Sequence, residues 1–187
     1  MLGRKERQFA MARYALLVRG INVGKNNSLP MAKLRTMLSE LGCRDVQTYV
    51  QSGNAVFETK ESASALLKAI EQALSQTMGR PIAATLRTRK QLAAIVQANP
   101  LAKVTTNPAT MCVTFLTHAP TKAEVAPLHA QDFSPEMFTI LGKEIYTWHP
   151  HGQGRSALAA ALGKLPLPGA VTTRNWNTVQ KLLQMLG

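Results

Sequence analysis

Tyr14-Ala15-Leu16-Leu17-Val18-Arg19-Gly20-Ile21-Asn22-Val23-Gly24-Lys25-Asn26-Asn27 is the stretch from which the fold follows. Tyr14 to Val18 is an apolar run with a β-branched end, the composition of a strand. It stops at Arg19-Gly20, and a polar loop with two glycines, one arginine, one lysine and three asparagines follows. Ser28-Leu29-Pro30 then opens a helix, since proline suits a first turn whose N–H groups have no intrahelical acceptor. Met31, Leu34, Leu38 and Leu41 share one face of that helix, and Gly42 stands at the C′ position.

Working outward, Asp45 to Val50 alternates as a strand does, Gln51-Ser52-Gly53-Asn54 is a tight polar turn, and Ala55 to Glu58 returns as a second strand. Ser62 begins a helix with Leu66, Leu67, Ile70, Leu74 and Met78 inward, stopped by Gly79 and Pro81. Ile82 to Leu86 is a short strand. The order β-α-β-β-α-β is that of the ferredoxin-like plait, in which two helices cover one face of an antiparallel sheet.

Thr88-Arg89-Lys90-Gln91 has the spacing of a capping box, opening a connecting helix with Leu92, Ile95 and Val96 on its apolar side. Asn99-Pro100 ends it, and residues 101–110 read as a loop. Met111 to Thr117 is a strand, and a second capping box at Thr121-Lys122-Ala123-Glu124 opens a helix containing Val125 and Leu128. Phe138 to Leu141 and Glu144 to Trp148 form a hairpin turning at Gly142-Lys143. Ser156 begins a helix with Leu158, Leu162 and Leu165 inward. Ala170-Val171-Thr172 is a short strand, and Thr173-Arg174-Asn175-Trp176-Asn177 leads into a last helix buried along Trp176, Val179, Leu182, Leu183 and Leu186.

The second half thus repeats the first. The reading is an α+β chain of two ferredoxin-like subdomains (alpha-beta plaits) with antiparallel sheets, plus a C-terminal helix. Residues 12–88 form the first plait, 89–110 a connecting helix and loop, and 111–187 the second plait with its helix. Residues 1–11 read as a tail outside the fold, with Met11 as an alternative start.

The 187 residues are 45% hydrophobic, enough for an ordinary core. No apolar run approaches the ~20 residues of a membrane span, and no signal-peptide core follows the basic first residues, so a cytoplasmic protein is expected. Net charge is +12. Residues 12–100 hold twelve Lys and Arg against five acids, residues 101–187 seven against four. Such a balance favours anionic partners, either nucleic acid or phosphorylated metabolites. Aromatics make up only 5%, a poor supply for stacking exposed bases. Cys43 and Cys112, far apart and outside any C-x-x-C motif, read as small packed hydrophobes.

Gly20 to Lys25 fails as a P-loop: three residues separate its glycines where four are needed, and Asn26 stands where Ser or Thr would bind magnesium. It also lacks the G-x-G-x-x-G dinucleotide pattern. It retains the parts of a looser anion site, in which Arg19, Lys25 and glycine-freed amides converge on phosphate oxygens; the plain alternative is a long turn needing φ > 0. Gly152-Gln153-Gly154-Arg155-Ser156 offers amides at a helix start with Arg155 as a bidentate fork, or simply a serine N-cap. Arg174-Asn175-Trp176-Asn177 repeats that arrangement, with Trp176 read as a core residue because it keeps the register of the apolar stripe. His149 and His151 form an H-x-H pair facing one side of a strand-like segment, without the further ligands of a zinc site. His118 and His129 are incidental, and no Ser-His-Asp, Cys-His or paired-acid constellation is present. No metal or cofactor is implied. The Asn26-Asn27-Ser28 sequon carries no weight without a secretory signal.

Leu17-Val18-Arg19-Gly20-Ile21-Asn22-Val23-Gly24, Tyr49-Val50-Gln51-Ser52-Gly53-Asn54, Gly154-Arg155-Ser156 and Thr172-Thr173-Arg174-Asn175-Trp176-Asn177-Thr178 together resemble the signature segments of a bacterial family, domain of unknown function 1697. The resemblance runs over residues 12–187 in the family's order and implies two ferredoxin-like subdomains. The chain departs by carrying Ala157 after Gly154-Arg155-Ser156, where the family often has lysine.

Three functional readings follow, beside the plain alternative of a structural or interaction module. The first is a small phosphorylated or nucleotide-like anion bound in a cleft between the subdomains, with Arg19, Asn22, Lys25, Gln51, Ser52, Asn54, Arg155, Ser156, Arg174, Asn175 and Asn177 as ligand-binding residues. It expects Arg174→Ala to remove binding at little cost in stability. The second is sequence-tolerant RNA binding through the basic surface. The third is a metal-independent transferase or hydrolase that stabilises charge with amide and guanidinium groups.

Overall fold

The computed structural model describes residues 11–22, 28–167, 169 and 171–187. The expected tail falls almost wholly outside the described residues, as does Lys25.

Sheet one comprises β1 (Ala12–Val18), β2 (Arg44–Tyr49), β3 (Asn54–Thr59) and β4 (Ala84–Thr88), in the order β2-β3-β1-β4 with every neighbour antiparallel. Sheet two comprises β5 (Met111–Phe115), β6 (Met137–Leu141), β7 (Glu144–Trp148) and β8 (Thr172–Asn175), in the equivalent order β6-β7-β5-β8. Helices α1 (Met31–Glu40) and α2 (Ala63–Met78) belong to the first plait, α4 (Lys122–His129) and α5 (Ala157–Gly163) to the second. Each plait then ends in a further helix, α3 (Arg89–Gln97) or α6 (Trp176–Met185). The chain is therefore an α+β fold of two antiparallel plaits.

Local chemistry accounts for most element boundaries. Ser62 caps α2 by accepting from the Ala65 N–H, and Gly79, in the left-handed region at φ 67°, ends it. Both capping boxes form, at Thr88 with Gln91 and at Thr121 with Glu124. Several boundaries differ from the sequence reading: β4 spans Ala84–Thr88 where Ile82 to Leu86 is expected, and β5 ends at Phe115 instead of Thr117. Val50 has φ 49° and belongs to the turn, and Asp45, at φ 53°, sits in an irregularity of β2 between Arg44 and Gln47. Thr173 to Asn175 are strand rather than helix lead-in, because Cys112 to Phe115 pair with them through Asn175.

Both faces are buried along the inner strands, β3, β5 and the second half of β1, which explains why Ala15 to Val18 reads as an unbroken apolar run. Leu16 and Val18 pack with Phe57 against Leu34 and Leu38 of α1 and Leu66, Ile70 and Leu74 of α2. Leu116 and Ile145 pack against Leu128 of α4 and Leu158 and Leu162 of α5. The opposite faces meet in a third core, where Ala15, Leu17 and Val56 join Val113, Phe115 and Tyr146, with Leu92 of α3 and Trp176 and Val179 of α6. The region between the subdomains is thus largely filled by apolar side chains. The two terminal helices are equivalent parts of this layer, each entered from a fourth strand without a loop.

Two arginines cross the layer in opposite senses. Arg174 on β8 donates through its NH2 group to the carbonyl of Val18, at the end of β1, at 2.7 Å. Arg87 on β4 donates likewise to the carbonyl of Leu116, just past β5, at 3.0 Å. The registers match: Arg87 lies opposite Ala15 and Arg174 opposite Val113, while Leu17 faces Asn54 and Phe115 faces Glu144. Each guanidinium also contacts its own strand, Arg87 at Thr85 and Leu86 and Arg174 at Thr172 and Thr173. The copies differ in one partner. Arg174 Nε donates to the Asn54 amide oxygen at 2.6 Å, whereas Arg87 meets the Glu144 carboxylate at 3.4 Å and lies over the Phe115 ring.

All five N–H groups of Arg174 are engaged: three carbonyls, one amide oxygen and one hydroxyl accept them. None is left for a ligand, so the geometry points to a cost in stability when Arg174 is removed. Arg174→Ala strands several buried acceptors, and about 3 kcal/mol of stability is expected to be lost. In thermal unfolding this is a fall on the order of 6–12 °C for a chain of this size. Arg174→Lys recovers little, because an ammonium cannot span the fork. Arg87→Ala, with a partner nearer water, costs less.

Candidate functional site

The polar loops at the ends of β1 and between β2 and β3 are tied into one unit. Gly53 has φ +75°, and a Cβ there would stand 2.6 Å from Ile21 Cδ1 and 2.9 Å from Val18 Cβ. Only glycine lets the two loops approach so closely. Across that contact the Val18 N–H donates to the Gly53 carbonyl at 2.9 Å, and Arg174 NH2 donates to the Ser52 carbonyl at 3.0 Å. Asn22, in the left-handed region at φ 56°, donates its side-chain amide to the carbonyls of Gln51 and Leu29 and accepts the Leu29 N–H at 2.7 Å. Asn54, wholly buried, accepts from Arg174 and donates to the Tyr49 carbonyl and the Ser52 hydroxyl. Asn22, Asn54 and Arg174 therefore act as internal ties.

The side chains standing outward around these ties are Arg19, Gln51 and Ser52. Arg80, not singled out by its sequence context, joins them by donating to the Gly20 carbonyl at 3.3 Å. Its signal was faint: an arginine between the Gly79 stop of α2 and Pro81. Burial lowers the Arg174 pKa to about 10, which leaves it charged at neutral pH.

Arg155 and Ser156 lie elsewhere, beside α5. Ser156 caps that helix by accepting the Ala159 N–H at 2.8 Å, and its hydroxyl lies 2.8 Å from His149 Nδ1. The same nitrogen is 3.0 Å from Glu136 Oε1, while Nε2 is 2.9 Å from the Thr147 hydroxyl. A catalytic relay needs an accessible hydroxyl and the carboxylate on opposite ring nitrogens; Ser156 and Glu136 share one, and the hydroxyl on the other nitrogen, that of Thr147, is 1% exposed. The two histidines do not face one side: His149 is 1% exposed and His151 lies outside in the turn after β7, which Gly152 closes at φ 87°. Arg155, His151 and Ser134 line a cavity of about 230 Å³ above this network.

Asn175 and Asn177 occupy a third place, at the start of α6. Asn175 is its N-cap, accepting the Asn177 N–H at 2.9 Å and donating to the Ala109 carbonyl at 2.8 Å. The sequence candidates thus divide among three locations instead of converging in one cleft. Among the described residues no group of three or more His, Cys, Asp or Glu is placed to hold a metal ion, and no helix is long and apolar enough to cross a membrane. Burial pushes the thiol of Cys43 up to about 11 and that of Cys112 to about 12, so both stay protonated and weakly nucleophilic.

Burial raises the Glu136 pKa, but hydrogen bonds from Ser156, the Leu158 N–H and His149 outweigh it and hold the carboxyl below its ordinary range. A depressed carboxylate stabilises the fold above its unfolded pKa of about 4.3, and that contribution is lost as pH falls through the folded value. Thermal unfolding between about pH 6 and pH 3 should show Glu136→Gln less stable than the parent at the upper end. The gap should narrow as pH falls; a constant gap would mean that the charge contributes nothing.

No curated protein matches the chain. A solved structure, that of a conserved bacterial protein from Streptococcus pneumoniae, is similar to it with a TM-score of 0.78 and 31% identity, covering 95% of this chain and 100% of the other. Residues 11–146 match the family described as Protein of unknown function (DUF1697). That match covers the signature segments at 17–24 and 49–54 and well over half of the chain, and the chain belongs to that family.

Proposed function

We propose that the protein binds a small phosphorylated or nucleotide-like anion on the rim formed by the loop after β1 and the β2–β3 turn. The observation that carries this reading is the grip of Arg174 on Val18, Ser52 and Asn54, which holds two donor-rich loops together from beneath. Above it, Arg19 leads into Gly20 and Arg80 reaches the Gly20 carbonyl, so two guanidinium groups attend one turn. Guanidinium forks match phosphate oxygens in geometry as well as charge. Gln51 and Ser52 add neutral donors on the same rim. Residues 19–27 and 50–54 contain no carboxylate, histidine or thiol. The loops therefore favour binding over acid–base turnover, and the charge excess of residues 12–100 supports an anionic ligand.

Isothermal titration with inorganic pyrophosphate and with ADP at low salt tests the reading. Saturable binding that weakens with added salt is expected, reduced at least about tenfold in both Arg19→Ala and Arg80→Ala, or about 1.4 kcal/mol. The unliganded melting temperature of each variant should stay within about 2 °C of the parent, since both side chains are exposed. Absence of saturable binding, or unchanged affinity in both variants, overturns it.

A further inference from the structure

A cavity of about 410 Å³ opens between the end of α3, the segment leading to β5 and the start of α6. In a chain of net charge +12 its lining contains no ionisable side chain among the described residues. Val96, Leu101 and Met111 supply apolar wall, and Trp176 of α6 stands among them. Trp176 is 6% exposed, yet its indole N–H has no acceptor among the described residues and is not sealed from solvent. The other tryptophan behaves differently: Trp148 Nε1 donates to the Thr110 hydroxyl at 3.1 Å. Trp176 Nε1 is open to solvent, so its N–H is free to donate to an acceptor that enters the cavity.

The rest of the polar lining sorts into two kinds. Asn99 and Thr105 are engaged in the segment itself, Asn99 accepting the Leu101 N–H at 3.0 Å and Thr105 bonding at Asn107 and Thr110. Gln97, Thr106 and Gln180 line the cavity with side chains that bond to nothing else among the described residues. Two primary amides, a hydroxyl and an indole N–H offer both donors and acceptors, all neutral, beside an aromatic ring and aliphatic wall. A charged ligand would lose hydration here and gain no counter-ion. A flat, uncharged heterocycle with donors and acceptors along its edge meets every group. The volume lies within the range of small-molecule sites, about 300–1,000 Å³.

We infer that this cavity binds a nucleobase or its nucleoside, recognised through its neutral ring and edge and not through a phosphate. The site is separate from the loop rim, and neither depends on the other. Equilibrium dialysis of the full chain against labelled adenosine, guanosine, cytidine and uridine, and against the free bases, tests it. Saturable one-to-one binding of at least one compound is expected. Gln97→Ala with Gln180→Ala should weaken it at least about tenfold, and Ala102→Trp, which puts a bulky ring into the cavity from an exposed position, should abolish it. Pyrophosphate titration should be unchanged in these variants, which separates failure here from failure of the loop reading. No saturable binding of any base or nucleoside, or binding indifferent to all three substitutions, overturns the inference.

Discussion

Arg174 is a guanidinium with no carboxylate among its partners, 8% exposed, lying where the two sheets meet. Burying a cation is costly unless its hydrogen bonds are met, and a planar fork of five donors is the side chain best able to meet them. Each of its acceptors is a fixed point of the backbone or a buried polar group. The residue therefore determines where β1 ends, where the β2–β3 turn sits, and how closely sheet two approaches sheet one. Without it the Val18 carbonyl and the Asn54 amide oxygen would be buried with no donor.

That layer explains the order of the structure. A ferredoxin-like plait covers one face of its sheet with helices and leaves the other to be buried. Here each plait supplies the other's cover, and α3 and α6 fill the gaps at the edges. Because the fourth strand of each plait runs straight into its final helix, Thr88 and Asn175 serve as both last strand residue and helix cap. Polar candidates that look alike in sequence are consequently delivered to different places.

Much of the fold was legible because it rests on local chemistry. Thr88, Thr121 and Ser62 announce their helices by capping geometry, and Gly79 and Gly42 announce ends. Thr173 to Asn175 were not legible as strand, since a four-residue edge strand is defined by its partner, Cys112 to Phe115, and not by its own pattern. Arg87 gave no signal alone; the repeated Thr85-Leu86-Arg87-Thr88 and Thr172-Thr173-Arg174-Asn175 would have disclosed the pair, had the two halves been aligned on their fourth strands. The candidate loops were visible as donor-rich, but whether a donor faces solvent or a buried carbonyl is settled by packing. Asn22 and Asn54 became ties for that reason, and Arg80 came in from a helix end. The partnership of Glu136 with His149 depends on β6 lying beside β7, a pairing that spacing alone does not specify.

The crossed arginines carry a wider meaning. An interface in which a residue of one half meets a given point of the other, and the equivalent residue returns the contact, is the signature of a two-fold, isologous association. This chain builds a dimer's interface out of a single polypeptide. Tethering turns association into an intramolecular step, so the pairing does not weaken on dilution. It also frees the two contacts from remaining identical: Asn54 and Glu144 occupy the same register, and a covalently joined pair, unlike a homodimer, can set a neutral partner against one arginine and a charged partner against the other.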